Sequence, residues 1–497
     1  MRTRRVSWIV AAGLLTSCGA TVQNPVSGQT ERTVLDEKSE IALGQREHQQ
    51  VLKEYSVYAN AGLQAYVNAL GQRLARLSHR SDLDWHFTVL DSPEINAFAL
   101  PGGYVYLSRG ILAYLDSEAE LAGVIGHEIG HVTARHGAQR ATRQQDAGLG
   151  VLAASVLGAV LESRGLGAAG RVASEVSQVA AAGYIASYGR EQELQADGLG
   201  AEYLARNQFA PQTMVQVIRV LKDQEQFAAD QARAQGRAAP AGSNWLASHP
   251  SNDQRLQAIT NLAAQYRNQA ADDGRERYLQ AIDGLHFGEG AAQGLTRGRN
   301  FYHAGLDLAL TAPAQWTVQN GTDRVMLANA ARDAALVVRL VPAQLGANHD
   351  EIVRQAFQPR SGRTERLVIN GLPATQFTGV RANAQGQPEQ LLVTVVSGPG
   401  NNRFVLVWSA RDAAALQRSR SQLQQAQDSF RALTVADRAA ARPWVLRTVA
   451  YPAGGFAEIA RRSPLDNPQA HLRLLNGVYG GGEPRLGQRV KVVESLP

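Results

Sequence analysis

The sequence predicts an α+β protein. A mainly helical domain is expected over residues 36–285, an α+β domain built on an antiparallel sheet over 300–436, and a small module over 445–497. Three observations predict this. Apolar residues recur at helical spacing through Leu63, Tyr66, Val67, Leu70 and Leu74, and again from Leu121 to Val132. From about Phe301 the pattern changes to short alternating runs such as Leu306–Leu310, which is the period of a strand. A glycine-rich stretch, Gly288 to Gly298, separates the two regimes and reads as a linker.

The 497 residues allow two to four domains, and 44% apolar with 19% charged content is ordinary for a chain with a sizeable core. The net charge is +6, but the arginines are spread out and no basic run carries interleaved aromatics, so nothing points to nucleic acid.

Residues 1–18 open with Arg2, Arg4 and Arg5, continue with an apolar run from Val6 to Leu15, and end at Cys18, the one cysteine of the chain. No intrachain disulfide can form. The apolar run is too short to span a bilayer and reads as a secretory signal. Leu15-Thr16-Ser17-Cys18 resembles a bacterial lipobox, which implies cleavage before Cys18 and a lipid on its thiol. Gly19 after it, rather than Asp, implies by the same resemblance the periplasmic side of the outer membrane. Residues 19–35 are polar and rich in Gly, Pro and Ser and read as a tether.

Two helices are expected between Glu37 and Leu77, then a strand at Trp85–Leu90. Pro101-Gly102-Gly103 marks a sharp turn before a second strand containing Tyr104, Val105 and Tyr106. Pro101 argues that this strand lies at a sheet edge, where an extended peptide could pair with it.

His127-Glu128-Ile129-Gly130-His131 follows. On a helix, residues four apart share a face, so the two imidazoles can hold one Zn²⁺ while Glu128 reaches its open side and accepts a proton from water. Leu121, Val124, Ile125, Ile129 and Val132 would bury that helix. An amphipathic helix with two hydrogen-bonded histidines would look the same over this stretch alone. The uncharged run Ala147–Leu161 is too short for a membrane span and reads as a buried helical hairpin, with a surface dipping into the membrane or a lid as alternatives. Catalytic zinc needs a third protein ligand and one open position. The helical stretch from Tyr188 to Gly198 offers acids at 191, 193 and 197, of which Glu193 and Asp197 share a face. Glu193 could bind the metal and Asp197 orient a ligand histidine.

Three motifs in this order, Asn96–Gly103, His127–His136 and Arg190-Glu-x-Glu193-x-x-Ala-Asp197, resemble the family-48 metallopeptidases, which include BepA-like, HtpX and CAAX prenyl proteases. The resemblance covers about residues 36–265. It implies a gluzincin: one Zn²⁺ per chain on His127, His131 and Glu193, Glu128 as general base, Asp197 behind a ligand histidine, and substrate on the strand Gly103-Tyr104-Val105-Tyr106. His249-Pro250-Ser251 matches a family element whose histidine either stabilises the oxyanion or caps the zinc as an inhibitory fourth ligand. Ser117 stands where the family usually has Asn, which changes a cap and no ligand. No membrane spans and no 34-residue repeats are found. The remaining histidines, 48, 79, 86, 136, 286, 303, 349 and 471, show no ligand spacing and read as structural or solvent-facing.

The 300–436 domain faintly resembles a PsbP or Mog-type fold. The 445–497 piece resembles a LysM repeat with a degenerate opening, which would bind peptidoglycan, although a plain packing module fits as well. The chain is therefore expected to be a periplasmic, lipid-anchored zinc endopeptidase that degrades misfolded or stalled envelope proteins. The alternative is a chaperone or assembly factor for outer-membrane proteins with a latched site.

Overall fold

Ser117 starts the helix around which the protein is built: its hydroxyl accepts from the Glu120 amide at 3.1 Å, and Glu118 and Glu120 place negative charge on the first turn. The computed structural model describes residues 20–143, 145, 188–234, 249, 253–266, 272–321, 323–382 and 386–496. The signal segment with Cys18, the run 147–161 and Pro250-Ser251 lie outside the described residues.

In chain order the first region comprises β1 (Ala20–Gln23), β2 (Thr30–Thr33), α1 (Glu37–Glu54), α2 (Ala61–Ala75), β3 (His86–Leu90), β4 (Ala97–Leu100), β5 (Tyr104–Ser108), α3 (Arg109–Tyr114) and α4 (Glu118–Thr133). It continues with α5 (Arg190–Arg206), α6 (Thr213–Ala234), α7 (Asp253–Ala263), α8 (Arg275–Ala281) and β6 (His286–Phe287). Every residue of α4 is buried. Its glycines decide how closely α5 can approach. A Cβ on Gly126 would lie 3.3 Å from Gly200 Cα, and one on Gly130 would lie 3.1 Å from the Ala196 carbonyl oxygen. Small residues on both helices thus let their backbones nearly touch.

The sheet order is β3-β5-β4, with β3 parallel and β4 antiparallel to β5. This corrects the expected edge strand. Tyr104, Val105 and Tyr106 lie on the middle strand, and Gly103 belongs to the turn before it. Pro101 also sits in that turn, where Gly102 and Gly103 have φ of 82° and 100°, so its missing N–H costs the ladder nothing. The edge strand that α4 packs against is β4.

The stretch expected to be a tether is folded over residues 20–33. β1 and β2 form a hairpin around Asn24, whose side-chain oxygen accepts from the Val26 and Ser27 amides. Its amide donates to the Ala134 carbonyl at 3.1 Å, docking the hairpin on the end of α4.

The second region holds a seven-stranded antiparallel sheet. Its strands are β10 (Thr317–Asn320), β11 (Val325–Ala328), β12 (Ala334–Leu340), β13 (Ser361–Ile369), β14 (Leu372–Ala382), β15 (Pro388–Ser397) and β16 (Arg403–Ala410), in the order β10-β11-β12-β16-β15-β14-β13. Between them in the chain lies α9 (His349–Phe357), and after them α10 (Ala413–Asp428); the two helices pack in separate apolar clusters with the sheet. A smaller sheet joins β7 (Leu295–Arg297), β8 (Asn300–His303), β9 (Leu308–Thr311) and β17 (Arg431–Ala432). The short helix α11 (Val435–Ala440) follows.

The chain then returns to the first region. β18 (Trp444–Ala450), α12 (Gly455–Ala460), α13 (Pro468–Leu475) and β19 (Arg489–Ser495) form a βααβ unit, with β18 also paired to β6. Leu446, Phe456, Leu472, Leu475 and Val492 belong to the same apolar core as Val67, Val124 and Ile125. Lys491 is fully buried there and donates to the Ala113 and Leu115 carbonyls at 3.0 and 2.7 Å. The C-terminal unit therefore completes the core of the first region. No helix among the described residues is long and apolar enough to cross a membrane.

Candidate metal centre

One turn of α4 brings His127 and His131 together, with Nε2 atoms 3.0 Å apart. Glu193, in the first turn of α5, faces them across the close helix contact. Its oxygens lie 3.5 Å from His131 Nε2 and 3.7 Å from His127 Nε2. His249 enters from outside the helix pair, with Nδ1 at 3.2 Å from His127 Nε2 and 2.9 Å from Glu193 Oε1. All four side chains are buried.

The donor set fits zinc. Four ligand atoms placed tetrahedrally around one zinc stand roughly 3.3 Å apart. Here the closest approaches run from 2.9 to 3.7 Å, and one donor atom from each residue lies within 4.8 Å of every other. Two imidazole Nε2 lone pairs and a carboxylate crowded together out of water repel one another unless a cation sits between them. His127, His131, Glu193 and His249 are the residues that would hold it.

The structure brings His127, His131 and Glu193 together, and His249 stands as a fourth donor beside them. Glu128 is buried next to His127, and its Oε1 lies 3.8 Å from His249 Nε2. Asp197 stands where orientation of a ligand requires it, with Oδ1 at 3.0 Å from His127 Nδ1.

Sequence reasoning missed Arg255. On α7, its guanidinium makes a two-pronged contact with Asp197 at 2.8 Å on each oxygen, reaches Glu193 Oε2 at 2.9 Å, and donates to the His249 carbonyl at 3.1 Å. One cation thus ties together three residues of the site. The signal in the sequence was its place six residues after His249. Tyr188 was also unassigned: its ring stacks on His131 with centroids 4.1 Å apart, and the Arg140 guanidinium lies 5.8 Å from its centroid.

Burial pushes the carboxyl pKa of Glu193 up, but His249, His127 and Arg255 outweigh it and hold it below the usual range. Asp197 behaves the same way under His127 and Arg255. Burial pulls His127 down, yet Asp197, Glu193 and Glu128 raise it overall. His131 is held well below 6.5 by burial and by the neighbouring His127 and His249.

Residues 61–263 match the family model described as Peptidase family M48. The chain is 31% identical over 243 residues to the beta-barrel assembly-enhancing protease of Yersinia pestis, covering 49% of this chain and 48% of that protein. It is 31% identical over 217 residues to the protein of the same name from Escherichia coli strain K12, covering 44% and 42%. To the mitochondrial metalloendopeptidase OMA1 of Bos taurus it is 25% identical over 251 residues, covering 49% and 46%. The chain thus spans less than half the length of these relatives. Among solved structures, the cyanobacterial PsbP of Synechocystis sp. PCC 6803 aligns over 29% of this chain and 98% of that one, at 16% identity and a TM-score of 0.22. Over residues 61–263, which carry the two helices bearing His127, His131 and Glu193, this chain is similar to peptidase family M48.

Proposed function

We propose that this chain is a zinc-dependent endopeptidase of the bacterial envelope that cleaves misfolded or stalled envelope proteins. The observation that carries this reading is the convergence of His127, His131 and Glu193 on one point, with Glu128 beside it. Zinc bound there supplies Lewis acidity, polarising the scissile carbonyl and making water acidic enough to ionise near neutral pH. Glu128 takes the proton from the attacking water and returns it to the leaving nitrogen. Asp197 and Arg255 keep His127 and Glu193 in place while this happens.

The outer edge of β4 has no strand partner among the described residues. An extended substrate would pair with Ala97–Leu100, alongside α4, in place of the strand first expected. The envelope setting is supported by the signal-like residues 1–18 and by the names of the similar proteins. A lipid on Cys18, placement at the outer membrane and peptidoglycan binding by the βααβ unit belong to the same proposal. Membrane fractionation of the Cys18→Ala variant and sedimentation with purified peptidoglycan test them.

His249 favours a second reading. Catalytic zinc sites keep one position open, and His249 stands where a substrate carbonyl would have to enter. The resting enzyme is latched, and a chaperone-like role for the closed form follows if nothing opens it. Digestion of unfolded casein separates the two. Hydrolysis that chelator abolishes and zinc restores supports the peptidase. A zinc-loaded His249→Ala variant that still leaves casein intact supports the closed, non-hydrolytic role.

A further inference from the structure

Metal-ligating histidines commonly donate their second ring N–H to a carboxylate or a carbonyl. For His127 that partner is Asp197. Among the described residues His131 has no such carboxylate or carbonyl partner. Its Nδ1 instead lies 2.8 Å from Nδ1 of a second histidine, His136.

The backbone explains how His136 gets there. Arg135 adopts a left-handed conformation, φ 58°, immediately after α4 ends. The chain turns back under the helix, and His136 comes up against the ring five residues earlier. Arg135 is kept in that conformation by its own burial, bonding the Leu35 carbonyl and Glu40 at 2.9 Å each. Glu40 is in turn held by Arg80 at 2.9 Å.

The other end of the His136 ring decides the rest. His136 Nε2 lies 2.9 Å from the side-chain oxygen of Gln195, on α5 two residues beyond Glu193. An amide oxygen only accepts, so His136 carries its hydrogen on Nε2. Its Nδ1 is then a bare lone pair and can only accept, which puts a hydrogen on His131 Nδ1. His131 Nε2 is left bare, and that is the atom facing His127 and Glu193.

We propose that His136 and Gln195 are positioning residues: together they select the tautomer of His131 and fix its ring, so that Nε2 is presented to the metal. The inference rests on the metal-centre reading above and adds two residues to it. α5 then serves the site three times, with Glu193 as ligand, Asp197 directly behind His127, and Gln195 behind His131 through one intervening imidazole. The relay is neutral throughout, so His131 is oriented without a second carboxylate being added to the one already behind His127.

The test is the affinity for zinc of the full chain, measured by competition with a chromophoric chelator, alongside the melting temperature of the metal-free protein. Gln195→Leu and His136→Leu should each weaken zinc binding roughly 10- to 100-fold. Gln195→Glu, which keeps an oxygen acceptor against His136 Nε2, should stay close to wild type. If His136→Leu does not fold, the contrast between the two Gln195 variants decides the matter alone. Affinity within about twofold of wild type in Gln195→Leu, or equal losses in Gln195→Leu and Gln195→Glu, would overturn the proposal. A wild-type chain that binds no zinc would instead sink the metal-centre reading itself.

Discussion

Nδ1 of His249 stands 3.2 Å from Nε2 of His127, inside the donor group and not behind it. His249 therefore joins the donor group from outside the two helices that carry His127, His131 and Glu193. His249 is held there by its neighbours: Arg255 bonds its carbonyl, and Glu128 faces its far nitrogen.

Removing that histidine should open the site. His249→Ala keeps His127, His131 and Glu193 and should keep its zinc. A latch closed about 90–99% of the time holds the rate down about 10- to 100-fold, so casein digestion should rise by that factor. A fall in rate at full zinc occupancy would show that His249 assists the reaction instead.

Asp197 is the counterpart of both His127 and Arg255. Asp197→Asn removes the charge between them and should weaken zinc binding roughly 10- to 100-fold. Loss of one partner from a buried ion pair should also destabilise the metal-free protein by about 3 kcal/mol. Chelator competition and urea unfolding measure the two effects separately. Unchanged values in both would contradict the orientation assigned to Asp197.

Acid should weaken the fold through its buried histidines. Burial pulls His471 down to about 4 from 6.5, where it bonds the Tyr114 hydroxyl at 2.9 Å. Between those values the unfolded chain binds a proton that the folded chain refuses. His471 therefore costs nothing above pH 6.5, and stability falls as the pH drops from 6.5 toward 4. The full gap is worth about 3 kcal/mol, and His131 and His136 act in the same direction. His471→Gln should lower the drop in unfolding free energy between pH 7 and pH 5, measured by urea titration. An unchanged drop would refute this assignment.

The βααβ unit should be inseparable from the catalytic region. Lys491→Met keeps the length of the side chain but removes the donor to Ala113 and Leu115 and the 3.2 Å ion pair with Asp116, just before α4. It should cost about 3 kcal/mol. Deletion of residues 444–496 should abolish zinc binding together with folding, because the two regions share one core. A truncated chain that still binds zinc would show that the unit is merely attached.

The donor group was legible because helical periodicity is local. His127 and His131 share a face whatever surrounds them, and chemistry then demands a third donor such as Glu193. What was not legible depends on how elements approach one another. Arg255 and Gln195 matter only because α5 packs against α4 and α7 packs against α5. His136 read as structural or solvent-facing because a left-handed turn at Arg135, and not helical spacing, brings it to His131. Pro101 suggested an edge strand, since a proline inside a ladder costs a bond, but it lies one turn outside the ladder. The stretch 19–35 looked like a tether because it is polar and rich in Gly, Pro and Ser, and the Asn24 turn that folds it is specified by side-chain oxygen bonds. The seven-stranded sheet was recognisable as alternating runs. Its strand order was not, because non-local pairing leaves no local trace.

The most direct measurement is zinc content and casein hydrolysis of the Glu128→Gln chain, compared with the parent in an unlatched His249→Ala background. The account predicts about one zinc per chain in both proteins, and hydrolysis lowered roughly 10²- to 10⁴-fold when Glu128 is replaced. Hydrolysis at the parental rate without the Glu128 carboxylate, or a parent that digests casein with no zinc bound, would contradict it.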